Sequence, residues 1–136
     1  MNLYLSIITP EKVVYEDEVN EVVAPTINGE IAILPNHVNL LTQVNPGELI
    51  VKKGSSSQSL AITGGFLEVN SNKISIVADY AVKAQDIEVA RVTEAKRRAE
   101  KIMSEKATDN EMKIAQGELI KSILELKIAA KHKRRS

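Results

Sequence analysis

The sequence predicts an α+β chain. An N-terminal all-β sandwich, closed as a flattened barrel, spans residues 1–84, and a C-terminal antiparallel two-helix hairpin spans residues 85–136. Three observations predict it. Apolar residues recur with period two up to about residue 80 and at three- and four-residue spacing after Ala84. Turn-forming Gly, Ser and Asn punctuate the first part at roughly 8–12-residue spacing, the signature of short antiparallel strands. Charge changes over at the same point. Residues 1–84 carry 5 basic and 9 acidic side chains (net −4), and residues 85–136 carry 13 and 9 (net +4). Such asymmetry marks two modules with different partners.

The elements follow in order. Leu3, Leu5 and Ile7 alternate with Tyr4 and Ser6 as a first strand, and Val19 to Val23 form a second run. Thr26-Ile27-Asn28-Gly29 is a hairpin turn, because Asn and Gly tolerate positive φ. Beyond it Ile31 and Ile33 face one way while Glu30 and Ala32 face the other, and Pro35 ends the strand by removing a donor. "GELIVKKG", "SLAITGG", "FLEVN" and "KISIVAD" are four further strands. "GSSSQS" (54–59) reads as a flexible hairpin tip, and Asn70-Ser71-Asn72 as a tight turn. Gly64-Gly65 lacks two side chains ahead of Phe66, which predicts a bulge or a close backbone approach.

In the helical part the first stripe is Val89, Val92, Ala95, Ala99 and Ile102. The second is Met112, Ala115, Leu119, Ile123, Leu126 and Ala130. Asp86 stands where the first N-cap belongs, and Thr108-Asp109-Asn110-Glu111 offers a capping box for the second helix. The short polar interval between them folds the helices back on each other.

At 136 residues the chain is long enough for a core without staples. It contains no cysteine, which excludes disulfides, thiolate chemistry and Zn–S sites. "MNLYLSIITPEK" lacks the basic n-region and apolar run of a signal peptide. No segment approaches the roughly 18–20 apolar residues of a membrane span. A soluble chain is expected, with room for attachment to a membrane-bound complex.

Glu30 and His37 flank a compact apolar stretch, so the pair admits a catalytic, a metal-binding or a docking reading. The only histidines, His37 and His132, lie in different modules, and carboxylates alone complete a zinc site poorly. Thr42 follows His37 without any nucleophile–base signature. The plain reading is a loop histidine on an exposed turn. No GxxxxGK[ST] or GxGxxG phosphate loop occurs.

Lys96, Arg97, Arg98 and Lys101, with terminal Lys131, Lys133, Arg134 and Arg135, are a candidate nucleic-acid surface. The helical half has no aromatic residue, and the whole chain has one Phe, three Tyr and no Trp, a thin supply of stacking platforms. The alternatives are a solvated face with pairs such as Glu94–Arg98, or a basic surface for an acidic protein partner.

"GEIAILPNHVNLLTQVNPGELIV", "LAITGGFLEV" and "ISIVADYAVKAQDIEVARVTEAKRRAE", in that order, resemble the epsilon-subunit family of bacterial F-type ATP synthases. The resemblance implies a non-catalytic stalk subunit whose sandwich meets the gamma subunit and the polar loops of the c-ring. The segment from Gly29 and Glu30 through Pro35, Asn36 and His37 would lie on that docking surface. It also implies a hairpin that folds on the sandwich or extends along gamma. The extended form would restrain ATP hydrolysis through a basic face (Arg91, Lys96, Arg97, Arg98, Lys101, Lys121) against the beta and alpha subunits. Peripheral attachment at the cytoplasmic face of the inner membrane is implied, with no transmembrane segment, no metal and no cofactor.

Some family members bind ATP on the hairpin. The matching positions here are Glu88, Arg91 and Arg98, with Glu88 for Asp and Val92 for Ala, and with Lys121 and Glu125 where nucleotide binders carry arginines. A carboxylate near phosphates repels, and Lys is not a bidentate substitute for Arg. A rotor-stalk coupling and regulatory subunit is thus the leading reading, a nucleic-acid module with a basic helical arm the second, and an enzyme the third.

Overall fold

A computed structural model describes residues 2–135, the side chain of Arg135 excepted. The chain forms two compact units, Met1–Lys83 and Ala84–Ser136. The first holds ten strands: β1 (Leu3–Ile8), β2 (Val13–Val19), β3 (Glu21–Thr26), β4 (Gly29–Ile33), β5 (Leu40–Gln43), β6 (Gly47–Lys53), β7 (Ser56–Thr63), β8 (Phe66–Asn70), β9 (Lys73–Val77) and β10 (Tyr80–Lys83). They form two five-stranded sheets, ordered β2-β1-β9-β8-β5 and β10-β7-β6-β3-β4. Every strand pairing is antiparallel except β1 with β9.

Alternation explains which side of each strand is dry. Leu3, Leu5 and Ile7 of β1 are fully buried, as are Leu49, Leu60, Ile62, Leu67, Ile74 and Ile76 from other strands. Burial of each such side chain contributes roughly 1.5–3 kcal/mol, so this inter-sheet layer holds the sandwich together. In β4, Ile33 is buried and Ile31 half-buried against the core, while Glu30 and Ala32 are exposed.

Two strand expectations need correction. The run Val19–Val23 is two strands, not one. Asn20 is the corner where the chain leaves one sheet for the other, and its side-chain oxygen accepts the Gly54 N–H at 2.5 Å while its own N–H donates to Lys52 O at 2.8 Å. In "GSSSQS" only Gly54 and Ser55 form the turn. Ser56–Ser59 pair in register with Lys53–Ile50, and Ser59 is buried because its hydroxyl donates to Glu48 at 2.7 Å.

Both glycines at 64–65 have positive φ (63° and 105°). A Cβ on Gly65 would meet the Val77 carbonyl and come within 2.8 Å of Ala78 Cα, so the sequence-predicted close approach is real.

The second unit opens with a 3₁₀ turn (Ala84–Asp86), then α1 (Val89–Ser104) and α2 (Asp109–Arg135). Asp86 is not the N-cap of α1. The cap position falls at Glu88, which makes no side-chain cap bond, because Ile87 N–H donates to Ala84 O and carries the chain through the 3₁₀ turn first. The capping box of α2 is present. Thr108 N–H donates to Glu111 Oε1 and Glu111 N–H to Thr108 Oγ1, each at 3.1 Å.

The helix stripes are narrower than expected. Val92 and Ala99 are buried in α1, whereas Val89 and Ile102 at its ends are exposed. In α2, Ile123 and Ala130 are exposed, and Ala115, Ser122, Glu125, Ile128 and Ala129 are buried. Buried Ser122 and Glu125 are polar, so an apolar pattern alone places the inward face about one residue off.

Candidate docking surface

The sandwich offers two contrasting ends joined by β4. At one end Leu34-Pro35-Asn36-His37 forms a turn closed by His37 N–H donating to Leu34 O at 3.1 Å. Pro35 presets the first central position and Asn36 takes the second at φ 68°, the arrangement of a type II turn. The adjacent β8–β9 turn holds it in place. Asn36 N–H donates to Asn72 Oδ1 at 2.6 Å, and Ser71 N–H donates to Asn39 Oδ1 at 3.3 Å. His37 is half-buried, and its Nδ1 lies 2.7 Å from Val38 O. A neutral ring making that bond carries its proton on Nδ1.

At the other end Thr26 and Gly29 close the β3–β4 turn, with Gly29 at φ 103°. Glu30 is paired opposite Pro25, whose carbonyl accepts Asn45 N–H at 3.1 Å. Glu30 therefore stands near the start of β4 and His37 in the turn that follows its end. Among the described residues no group of three His, Asp or Glu is placed to hold a metal.

The outer face of the first sheet carries a feature missed in the sequence. Strand registers align Phe66 with Val77, Val77 with Ile8, and Ile8 with Val13. The result is an apolar ladder across four strands, 54, 52, 37 and 55% exposed respectively. Ile27, from the turn ahead of Gly29 and Glu30, joins Phe66 and Val77 along one groove at the same end. Toward the other end the ladder gives way to Glu68, Ser75 and Ser6, then to Asn70, Lys73 and Tyr4. Apolar surface is concentrated here on a face that no strand of the sandwich covers, as at an interaction site. The available signal was a set of apolar doublets, Ile7-Ile8, Val13-Val14, Phe66-Leu67 and Ile76-Val77, which break strand alternation.

On the hairpin several basic residues sit in local ion pairs. Arg91 pairs with Glu88 at 3.6 Å, and Lys121 lies 3.9 Å from Glu118. Arg97 pairs with Glu94, which corrects the expected Glu94–Arg98 pair; Arg97 reaches the carboxylate first from i+3. This contact holds the Glu94 carboxyl below its ordinary range. Arg98 lines a groove of about 340 Å³ between α1 and α2, with Glu111 and Glu118 on its far wall. Lys96 is half-buried and Lys101 exposed. The Arg135 side chain and Ser136 lie outside the described residues. Among the described residues no helix is long and apolar enough to cross a membrane.

Comparison with known proteins agrees with this architecture. Residues 2–84 match the family profile "ATP synthase, Delta/Epsilon chain, beta-sandwich domain". An ATP synthase epsilon chain of Dehalococcoides mccartyi is 41% identical over 133 residues, covering 97% of this chain and 95% of the relative. That of Desulforamulus reducens is 41% identical over 125 residues, covering 92% and 95%. Among solved structures, one chain of the Euglena gracilis mitochondrial ATP synthase (OSCP/F1/c-ring) superposes with a TM-score of 0.66 at 21% identity, covering 98% of this chain and 81% of its own. One from the Tetrahymena thermophila central stalk/c-ring gives 0.65 at 16%, covering 95% and 97%. Those two likenesses bear on the fold, and the sequence relatives carry the identification: the chain belongs to the ATP synthase epsilon-chain family.

Proposed function

We propose that this subunit works in the central stalk, coupling rotation of the c-ring through gamma to the catalytic head, without an active site of its own. The observation that carries the reading is the exposed ladder Phe66–Val77–Ile8–Val13 beside Ile27 and Gly29-Glu30. An apolar strip of this kind fits a protein partner such as gamma, and the Pro35-Asn36-His37 turn, flanked by exposed Leu34 and Val38, fits the loops of the c-ring. Peripheral attachment at the cytoplasmic face follows from these partners.

Phe66→Asp with Val77→Asp tests the apolar contact. Both positions are exposed, so the sandwich should fold while affinity for the gamma subunit falls by about 30-fold or more, the equivalent of about 2 kcal/mol. Unchanged co-purification with gamma would remove the ladder from the interface. Glu30→Ala with His37→Ala should weaken coupling or assembly with the fold intact, a separate measure of the β4 ends.

The hairpin is read as a regulatory element that restrains ATP hydrolysis. Its support is apolar surface beyond what the hairpin itself covers: Ile114, Ile120 and Ile123 are 62, 54 and 48% exposed. A switch between two surfaces needs states close in free energy. Uncovered isoleucines give α2 something to bury on a second surface. Hydrolysis by the assembled complex should rise on deletion of residues 86–136; an unchanged rate would end the inhibitory reading. ATP is not the hairpin's ligand in this proposal, because Glu88 engages Arg91 and two carboxylates face Arg98. Titration calorimetry of the isolated subunit with ATP should give no micromolar binding heat.

A further inference from the structure

We propose that Asn28, in the β3–β4 turn, is a deamidation site of the folded chain, converting through a cyclic imide to aspartate and isoaspartate. Of the nine asparagines, only Asn28 precedes a glycine. Seven of the other eight have side chains engaged in hydrogen bonds, as Asn36 and Asn72 are with each other and Asn39 is with Ser71. The eighth, Asn110, sits in the first turn of α2 and precedes Glu111. Asn28 is exposed, and only its backbone N–H is engaged, donating to Thr26 Oγ1 at 3.2 Å; its side-chain amide makes no hydrogen bond among the described residues.

The next residue completes the site. The direction in which a Cβ would project from Gly29 is open space, with nothing within 4 Å. Gly29 carries no side chain of its own to hinder approach of its nitrogen to the Asn28 carboxamide. The reaction needs only water and base. The Gly29 nitrogen gives up its proton and attacks Asn28 Cγ. A C–N bond forms, the Cγ–NH₂ bond breaks, and ammonia leaves. Water then opens the five-membered imide at either carbonyl, leaving aspartate or isoaspartate with no change of oxidation state. Aspartate adds a negative charge two residues from Glu30. Isoaspartate adds a backbone methylene inside a turn whose span is fixed by the Thr26–Gly29 pairing and by Thr26 Oγ1 donating to Gly29 O at 2.6 Å.

The test is incubation of the folded full-length chain in neutral and mildly alkaline buffers, followed by peptide mapping. The expected result is a mass gain of about 1 Da per chain. It should fall at residue 28 before any other asparagine, accelerate with pH, and disappear in Asn28→Gln, whose six-membered imide closes far more slowly. A parallel sample unfolded in urea separates intrinsic reactivity from the effect of the turn. Conversion at residue 28 in urea but not in the folded chain would overturn the proposal, as would earlier conversion at Asn70, which precedes Ser71. Neither readout depends on what docks against β4.

Discussion

Replacing Gly65 by alanine probes the tightest point of the sandwich. At φ 105° the backbone lies outside the ordinary left-handed well, so an L side chain there costs about 1–3 kcal/mol in strain. The added Cβ would also meet the Val77 carbonyl, with Val77 C at 2.9 Å and Ala78 Cα at 2.8 Å. These are backbone atoms held by the Phe66–Val77 pairing of β8 with β9, so no rotamer change relieves the contact. Shifting a strand to make room costs a further 1–3 kcal/mol or so. Against this, alanine recovers about 0.4–1 kcal/mol from the unfolded chain. The net loss is about 3 kcal/mol, a shift of more than about 10 °C for a unit of this size.

Gly64→Ala is the control. Its φ of 63° falls in the left-handed well, costing about 1–2 kcal/mol, and the obstructing group is the Asp79 carboxylate, which swings aside. Tyrosine fluorescence is the assay, because Tyr4, Tyr15 and Tyr80 all lie in the sandwich and the hairpin has no aromatic residue. If Gly65→Ala melts within a few degrees of Gly64→Ala, the close-approach reasoning is wrong.

Four further outcomes concern the hairpin and the ion pairs. Gly117 lies in the middle of α2 with nothing near where its Cβ would stand, so Gly117→Ala should stabilise α2 by about 1 kcal/mol, measured by ellipticity at 222 nm. Thr108→Ala removes half the capping box and should cost about 1 kcal/mol by the same measurement. The Thr108 backbone N–H holds the Glu111 carboxyl below its ordinary value of 4.5. The folded state therefore binds that proton less readily than the unfolded one, and the contribution is present above pH 4.5 and fades as pH falls through the lower folded value. Glu111→Gln should flatten that acid limb. Asp17, lowered by the Lys53 ammonium, has the same sign, and Asp17→Asn should flatten the corresponding limb of the tyrosine-monitored transition.

The sequence makes the interior of this fold easy to read and its margins hard. Seven strands are visible from alternation. The three that escape are β2, β5 and β10, and each is an edge strand. An edge strand packs on only one neighbour, so its burial pattern is shallow. Glu16, Asp17 and Glu18 further disguise β2, as charges on an edge commonly do where open strand pairing must be discouraged. Asp86 does not cap α1 for a local reason: it ends a 3₁₀ turn, and α1 begins only at Val89 behind Glu88. By contrast, the box at Thr108–Glu111 depends on four consecutive residues alone, and it was legible.

The candidate site divides along the same line. Gly29, Glu30 and Pro35–His37 stand out because Gly, Pro and charge punctuate a strand, and the linear order of Glu30, apolar stretch and His37 is kept, with Glu30 near the start of β4 and His37 in the turn beyond its end. The ladder is the reverse case. Ile8, Val13, Phe66 and Val77 come from four different strands, and each merely spoils an alternating pattern by following or preceding a buried or half-buried neighbour. Only the strand registers turn four local irregularities into one strip. An apolar residue on a solvated strand face gains less from folding the sandwich than one in its core, and the area these four leave exposed is what a partner would cover. In a chain of this kind, the apolar doublets at strand ends are therefore the positions to test first for a partner, ahead of the polar residues that draw the eye.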